Sequence, residues 1–337
     1  KAFHYNHSLS GRFRLMSVSA VIPVHNRADL LAKLLATIRS QTVPFDEVLV
    51  IDNASIDDAP RVAKAAGCEV IAMGANAGFA AAVNRGWRAA RSGWIAILNS
   101  DVELDPHWLE RLLEAAGNAS FATGKIFRAG TGPLRIDGTY DLLARSGCAW
   151  RAGHGQPDEP SETEPKPISI APATACLFRR SVLDELHGFD ESFGSYLEDV
   201  DLGLRCLEHG LTGIYAPLAR AFHHGSATLG RWNPQVVRLI SRNQLRLIAK
   251  HYDRALFKAN LWPILAGQLL WGCLALQHGA FGAWLEGKRE ALRGFHLEGR
   301  PSAALQAFLD ASEREIEDTA TDTYWRLYFR CAPRRGA

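Results

Sequence analysis

Trp94-Ile95-Ala96-Ile97-Leu98-Asn99-Ser100-Asp101 runs from five apolar residues straight into three polar ones. A short unbroken apolar run reads as a strand buried on both faces, and the polar stop as the loop where it leaves the sheet. The same punctuation recurs upstream. Val18 to Pro23 leads into His25-Asn26-Arg27, Glu47 to Asp52 ends in Asp52-Asn53, and Cys68 to Met73 leads into Asn76-Ala77-Gly78-Phe79. Between these runs lie helical segments: Leu30, Leu31, Leu34, Leu35 and Ile38 at helical spacing, then Asp57 to Gly67, Ala-rich Gly78 to Arg91, and about Pro106 to Ala116. Four strand and helix alternations predict an α/β fold with a mainly parallel sheet and helices on both faces. Ligands of such sheets sit at the carboxyl ends of strands, so the four polar turns outline one crevice. Polar turns are also ordinary loop chemistry.

Beyond Phe127 the regularity fades. Residues 151–167 hold four prolines and several acids with no periodic apolar positions, which predicts a mobile loop. Ile168 to Arg179 reads as a strand, Ser181 to His187 as a short helix, Gly188 to Glu191 as a turn, and Glu198 to His209 as a helix. After Asn233 the chain reads as helical to its end, with interruptions near Asp253, Pro263 and Pro301. The organisation expected is a leader or tag-like segment (1–15), a sheet domain (16–230) divided at about residue 127, and a helical extension (231–337).

A chain of 337 residues accommodates a domain of roughly 200–250 residues plus such an extension. The net charge of +2 is too small to indicate a nucleic-acid partner. The six cysteines form no CxxC pair and have no histidine at zinc spacing, so they read as reduced packing residues. Residues 1–15 lack the apolar core of a signal peptide, and Met16 can be a native start, which points to a cytoplasmic location.

Three constellations carry chemistry. Asp101 follows the fourth strand, where a carboxylate can reach Mg2+ or Mn2+; Asp105, just before Pro106, fills the helix-capping role better. Tyr196-Leu197-Glu198-Asp199-Val200-Asp201 places three acids at a helix start, where they answer the helix dipole or supply an ionised general base. Phe222-His223-His224-Gly225 offers imidazoles in an exposed turn, as metal ligands or as surface residues.

The order and spacing of these sites are similar to those of family 2 glycosyltransferases of the GT-A fold, and most closely their rhamnosyltransferase-like branch. The matching segments are VSAVIPVHNR, EVLVIDNAS, NAGFAAAVNRG, IAILNSDVEL, LHGFDESFGSYLEDVDLGLRCLEHG and YAPLARAFHHGSAT, spanning roughly residues 18–230. The resemblance implies an inverting hexosyl- or deoxyhexosyltransferase acting in bacterial cell-surface polysaccharide synthesis. Its donor would be a dTDP- or UDP-sugar and its acceptor a glycan or lipid-linked hydroxyl. Asp52 would bind the nucleobase. Pro23, His25, Asn26, Arg27, Asn53, Asn76, Gly78, Phe79, Asn84, Asn99 and Ser100 would line the donor site. Asp101 resembles the metal-binding acid of the DxD motif, His223 its distant partner in a P-x-A-x-x-x-H frame from Pro217, and Asp199 the base. Tyr196, Glu198, Asp201, Thr174 and His224 would support the acceptor side. The first DxD position is Asn99, which carries no charge and implies weaker metal binding than two acids give.

Other readings fit less well. A nucleotidyltransferase would carry a Gly-rich, Arg-containing loop after its first strand, and a dinucleotide oxidoreductase a G-x-G-x-x-G turn. A processive synthase would carry Q-x-x-R-W, but Thr228 stands where Gln is needed before Arg231-Trp232. A catalytically inactive carbohydrate- or nucleotide-sugar-binding protein of the same fold is the alternative from another class.

In the tail, Arg238, Arg242, Arg246, Lys250, Arg254 and Lys258 recur every four residues and would form a basic stripe on a continuous helix. It leads into Leu261 to Leu276, sixteen mostly apolar residues, too short to span a bilayer. The expectation is a peripheral contact at the inner face of the cytoplasmic membrane, with the stripe on anionic headgroups and the apolar helix in the interface; a hairpin packed on protein is the other reading.

Overall fold

The computed structural model describes residues 16–130, 132–225 and 232–334. The leader at 1–15, the expected domain boundary at 230–231, Thr228 and Arg231 lie outside the described residues.

The first half alternates as β1 (Val18–Val24), α1 (Ala28–Arg39), β2 (Glu47–Asp52), α2 (Ala59–Ala65), β3 (Glu69–Ala72), α3 (Phe79–Ala89), β4 (Trp94–Leu98), β5 (Val102–Leu104) and α4 (Trp108–Ala116). The second half runs β6 (Phe121–Arg128), β7 (Ile136–Gly138), β8 (Asp141–Leu143), β9 (Ala149–Arg151), β10 (Lys166–Ile168), β11 (Ala175–Arg179), α5 (Arg180–Glu185), α6 (Glu198–Glu208) and β12 (Gly213–His223). Helices α7 (Pro234–His251), α8 (Arg254–Ala259), α9 (Leu261–Gln277), α10 (Phe281–Leu292), α11 (Ala303–Thr319) and α12 (Thr323–Cys331) follow.

One sheet runs β10-β12-β6-β11-β4-β1-β2-β3, with β5 added to β12 and β7 to β6. Strands β4, β1, β2 and β3 are mutually parallel, and β11 enters antiparallel beside β4. Period-two side-chain alternation explains why both faces are buried. Val21, Leu49, Ile51, Ile95 and Ile97 pack on the face covered by α3, α5 and α6, whereas Ala20, Ile22, Val50, Ala96 and Leu98 pack against α1, α2 and α4.

Three sequence expectations change. Residues 151–167 are not a free loop: Lys125, 1% exposed, draws Asp158 to 2.8 Å and Glu162 to 3.1 Å, so burying one ammonium pins the segment. The strand expected over 168–179 splits into β10 and β11. The intervening backbone serves other partners: Ile170 O accepts from Asp141 N, and Thr174 O from Asn99 N. The interruption expected near Pro263 falls at Asn260, between α8 and α9, and Pro263 itself sits in the first turn of α9, where a missing N–H costs no hydrogen bond.

The basic stripe is broken as well. The helix ends at His251, and Asp253 caps a new helix through Leu256 N. Four of the six cations turn toward protein: Arg238 pairs with Glu290 at 2.5 Å, Arg242 donates to Phe193 O at 2.6 Å, Arg246 donates to Ser192 O, and Lys250 pairs with Asp190 at 2.6 Å and Asp201 at 2.7 Å. The tail helices share a core with the sheet domain, since Leu247, Ile248, Tyr252, Leu305 and Leu309 cluster with Leu143, Ile170, Phe193 and Val200. Arg145 and Glu313, both almost fully buried, close this contact at 2.6 Å.

Candidate active site

The carboxyl ends of β1 and β2 are laced together by their own polar turns. His25 Nδ1 lies 2.9 Å from Asn53 O, Asn26 N donates to Ser55 Oγ at 2.8 Å, and Ile56 N donates to Asn26 Oδ1 at 2.8 Å. Asp52 Oδ1 accepts from Ser55 N at 3.0 Å, so this carboxylate also shapes its own turn. Arg27 pairs with Asp29 at 2.9 Å. Asn53 then reaches the next turn, with Nδ2 donating to Asn76 Oδ1 and Oδ1 accepting from Ala77 N at 2.9 Å. Gly78 is required there: a Cβ would stand 2.8 Å from Gly194 O, and its φ of +87° disfavours any other residue. Phe79 N donates to Ser195 Oγ at 3.1 Å, which joins this turn to the loop ahead of α6.

Non-glycine residues with left-handed backbones mark the same edge. Asn26, Arg27, Ala54, Tyr196 and Leu197 all have φ between 63° and 71°. Such conformations cost of order 1–3 kcal/mol each and persist where the surroundings over-determine them. Tyr196 and Leu197 are held from the tail: Asn243 Nδ2 donates to the carbonyls of Phe193, Ser195 and Tyr196 at 2.6–3.0 Å.

The three acids at the start of α6 have three environments. Asp201 is fully buried against Arg205 at 2.9 Å, Lys250 at 2.7 Å and His251 at 3.0 Å; burial works against its charge, but these partners hold it well below the usual carboxylate range. Glu198 is 5% exposed, its Oε2 has no hydrogen-bond partner, and burial reinforced by Asp199 and Asp201 pushes it well above that range. Asp199 is half-buried, and its Oδ2 accepts from Ala173 N at 3.0 Å. One helix start therefore carries a buried acid pushed upward, a buried acid held ionised by cations and a half-buried carboxylate.

Antiparallel pairing of β5 with β12, in register Val102 with His223, brings two distant motifs together. His224 N donates to Asp101 O at 2.9 Å, and His223 Nε2 lies 3.3 Å from Asp101 Oδ1. His224 itself turns to Glu103 at 2.6 Å. Cis ligands on an octahedral ion at about 2.1 Å lie about 3 Å apart, so the Asp101 and His223 donors fit one divalent cation. Among the described residues no group of three or more His, Cys, Asp or Glu side chains is placed to hold a metal ion. Burial disfavours the His223 charge, but hydrogen bonds to Asp101 and Asp137 raise its pKa to about 9.

Asp101 and Asp199 belong to one region. Asn99 N donates to Thr174 O at 2.9 Å while neighbouring Ala173 N donates to Asp199. Tyr196 senses both sides, its phenol pushed up by burial and by Glu198 and Asp101.

Two residues expected at the donor site are elsewhere. Asn84 is fully buried and spends its amide on Phe189, Trp87 and Glu191, stapling α3 to the 188–191 turn. Pro23 is buried inside β1 opposite Ile51. Conversely, Asp137, Asp141, Arg151 and His154 went unnoticed in the sequence. Arg151 bridges Asp137 at 3.3 Å and Asp141 at 3.5 Å, and burial with the nearby Asp199 charge raises Asp141 above the usual carboxylate range. The available signal was an acid inside the apolar stretch Tyr140-Asp141-Leu142-Leu143, since a buried polar residue is the informative exception.

Comparison with known proteins adds the following. Residues 19–187, half of the chain, match the model for glycosyl transferase family 2. The N-acetylglucosaminyl-diphospho-decaprenol L-rhamnosyltransferase of Mycobacterium tuberculosis is 31% identical over 229 residues, covering 60% of this chain and 74% of that protein. The O-antigen biosynthesis protein RfbC of Myxococcus xanthus is 29% identical over 235 residues, 63% of this chain and 17% of that protein. Among solved structures, GalNAc-T7 with UDP, GalNAc and Mn2+ superposes with a TM-score of 0.60 at 16% identity, covering 84% of this chain and 59% of that one.

Proposed function

Since the chain belongs to glycosyl transferase family 2 and moves sugar from a nucleotide sugar, we propose that it is an inverting, metal-dependent hexosyl- or deoxyhexosyltransferase of bacterial cell-surface polysaccharide synthesis. Its donor is a dTDP- or UDP-sugar and its acceptor a glycan or lipid-linked hydroxyl. Residues 16–230 form the catalytic unit and 231–337 a helical extension braced against it. The observation that carries the reading is the Ala173-Thr174 crossing, which ties half-buried Asp199 to the strand end that presents Asp101 to His223.

Asp101 and His223 would hold Mg2+ or Mn2+, which would neutralise charge developing on the departing diphosphate. Asp199 accepts the acceptor hydroxyl proton as that oxygen forms its bond to the anomeric carbon. The bond from that carbon to phosphate oxygen breaks, and its electron pair leaves with the diphosphate. Glu198 differs from Asp199 in that burial, reinforced by Asp199 and Asp201, pushes it well above the usual carboxylate range. His25, Asn26, Arg27, Asp52, Asn53, Asn76, Gly78, Phe79, Asn99 and Ser100 form the donor-facing turns. Support comes from the mycobacterial relative, named for L-rhamnosyl transfer to a lipid diphosphate, and from the nucleotide and Mn2+ in the GalNAc-T7 structure.

A thermal-shift screen of dTDP, UDP and their sugars with and without Mn2+ tests this reading. Stabilisation by nucleotide, an added increment with Mn2+, and loss of that increment alone in Asp101→Ala are expected. Equal weakening of the variant in EDTA would make Asp101 a direct nucleotide ligand and remove the metal assignment.

The reading includes a lipid contact at the inner face of the cytoplasmic membrane. Among the described residues no helix is long and apolar enough to cross a membrane. Yet on α9 Leu261 and Leu265 are 46% exposed, Leu269 59%, Leu276 63% and Trp262 62%. At 100° per residue the five fall within an arc of about 100°. No Asp or Glu occurs between Asp253 and Glu286, and exposed Arg254 and Lys258 precede the helix. This charge pattern favours an anionic lipid surface over a second copy of the chain, whose identical cations would repel.

A further inference from the structure

We propose that Asp137 is a positioning residue for His223, fixing the imidazole so that Nε2 is offered to the divalent ion beside Asp101. The inference rests on the metal assignment above. The ring is bracketed: Nδ1 lies 2.9 Å from Asp137 Oδ2 and Nε2 3.3 Å from Asp101 Oδ1, so the two carboxylates occupy opposite edges of one imidazole. When Nε2 gives its lone pair to a cation, the single ring proton must sit on Nδ1, and Asp137 is the acceptor that faces it.

The scaffold around Asp137 is built to keep that carboxylate ionised and aimed. Strand β7 lies beside β6, which lies beside β12, and the β6–β7 register slips between Ile126 and Phe127, opposite Asp137. Such a slip re-aims a side chain. Arg151 approaches Asp137 to 3.3 Å, Arg128 to 3.8 Å, and His154 Nδ1 lies 2.8 Å from its carbonyl oxygen. Gly138 is the residue that lets Arg151 through, because a Cβ there would stand 1.9 Å from the arginine Cδ. Arg151 also holds Asp141, so the imidazole's support continues toward the surroundings of Asp199. A metal-ligating histidine backed by an anion is fixed in tautomer and more basic, and removing such a partner lowers metal affinity about 10–100-fold.

The experiment is a Mn2+ titration followed by electron paramagnetic resonance on the whole chain, with UDP present. Asp137→Asn should weaken Mn2+ binding about 10–100-fold, while UDP affinity in EDTA stays near wild type. In a His223→Ala background the same substitution should cost nothing further. Wild-type Mn2+ affinity in folded Asp137→Asn, or an undiminished loss in the His223→Ala background, would overturn the proposal. If Asp137→Asn does not fold, nitrogen-15 histidine spectra of the wild-type Mg2+–UDP form decide: a proton on Nδ1 is expected, and one on Nε2 refutes it. Absence of any Mn2+ binding by wild type would instead overturn the metal assignment.

Discussion

Strands β1 to β4 deliver their polar residues directly from their carboxyl ends, each turn following its own apolar run. In the second half, Asp137, Asp141 and Arg151 sit on three-residue strands, and Asp199 on a helix whose start is held by the backbone of Ala173 and by Asn243 of a tail helix. The first arrangement is local and repetitive, so each turn depends on a few neighbours. The second is assembled from pieces far apart in the chain and is correspondingly cooperative. Substitutions in the two halves should therefore fail differently: the first half in donor binding alone, the second in chemistry or in folding.

The sharpest break of that comparison is Asp199→Asn. Transfer should fall more than about a hundredfold, the usual size of general-base catalysis, with nucleotide binding nearly intact. Initial rates with a radiolabelled donor, set beside calorimetric UDP affinity, measure both. Transfer retained above about a hundredth of wild type would move the base elsewhere.

How legible these halves were follows from the same contrast. Unbroken apolar runs and helical leucines displayed the parallel sheet, and the motifs singled out Asp101, Asp199 and His223 as candidates. Asp137 and Arg151 were hidden because their burial comes from pairing across β6, β7 and β9, which no local period encodes. Residues 151–167 looked mobile because prolines and acids suppress periodicity, whereas the buried Lys125 of β6, the pairing of β10 with β12 and backbone bonds of Gly155 and Gln156 to Ile136 order them. The next largest effect tests this. Lys125→Met takes the buried cation from Asp158 and Glu162 and leaves them Arg220 at 3.6 Å and Lys166 at 3.7 Å, so the cost should fall below the figure of about 3–5 kcal/mol for breaking a fully buried pair. A chemical-denaturation midpoint and limited proteolysis within 151–167 should both register it. An unchanged protease pattern would mean that the segment is ordered by other contacts.

The tail extends the comparison from halves of the sheet to faces of a helix. Spacing alone made six cations equivalent, but Arg238, Arg242, Arg246 and Lys250 are spent on protein partners, and Arg254 and Lys258 are exposed on α8, the short helix that precedes α9. Each cation at an anionic surface is worth about 1 kcal/mol. Replacing Arg254 and Lys258 with Ala should thus weaken flotation with anionic vesicles by roughly 30-fold at low salt. Trp262→Ala should weaken it as well. Wild-type protein that fails to float with anionic vesicles would remove the lipid contact, and a concentration-dependent dimer would assign the apolar face to a second copy.

The last expected effect concerns the junction where the halves meet. His223 of β12 has its pKa raised from 6.5 to about 9, with burial opposing and the hydrogen bonds to Asp101 and Asp137 prevailing. A group whose folded pKa lies above its unfolded value contributes stability that is fully present below the unfolded value. That contribution is lost as pH rises through the folded value, so the window is about pH 6.5 to 9. Lys288 works in the opposite direction, because burial depresses it to about 7 and favours the folded state as pH rises. The wild-type profile mixes both terms, but comparison with His223→Gln isolates the first. In EDTA, wild type should lose stability relative to the variant by at most about 1.4 kcal/mol per pH unit across that window. Denaturation midpoints at pH 6, 7.5 and 9 measure the difference. Parallel profiles would mean that Asp101 and Asp137 do not hold a charged imidazole between them.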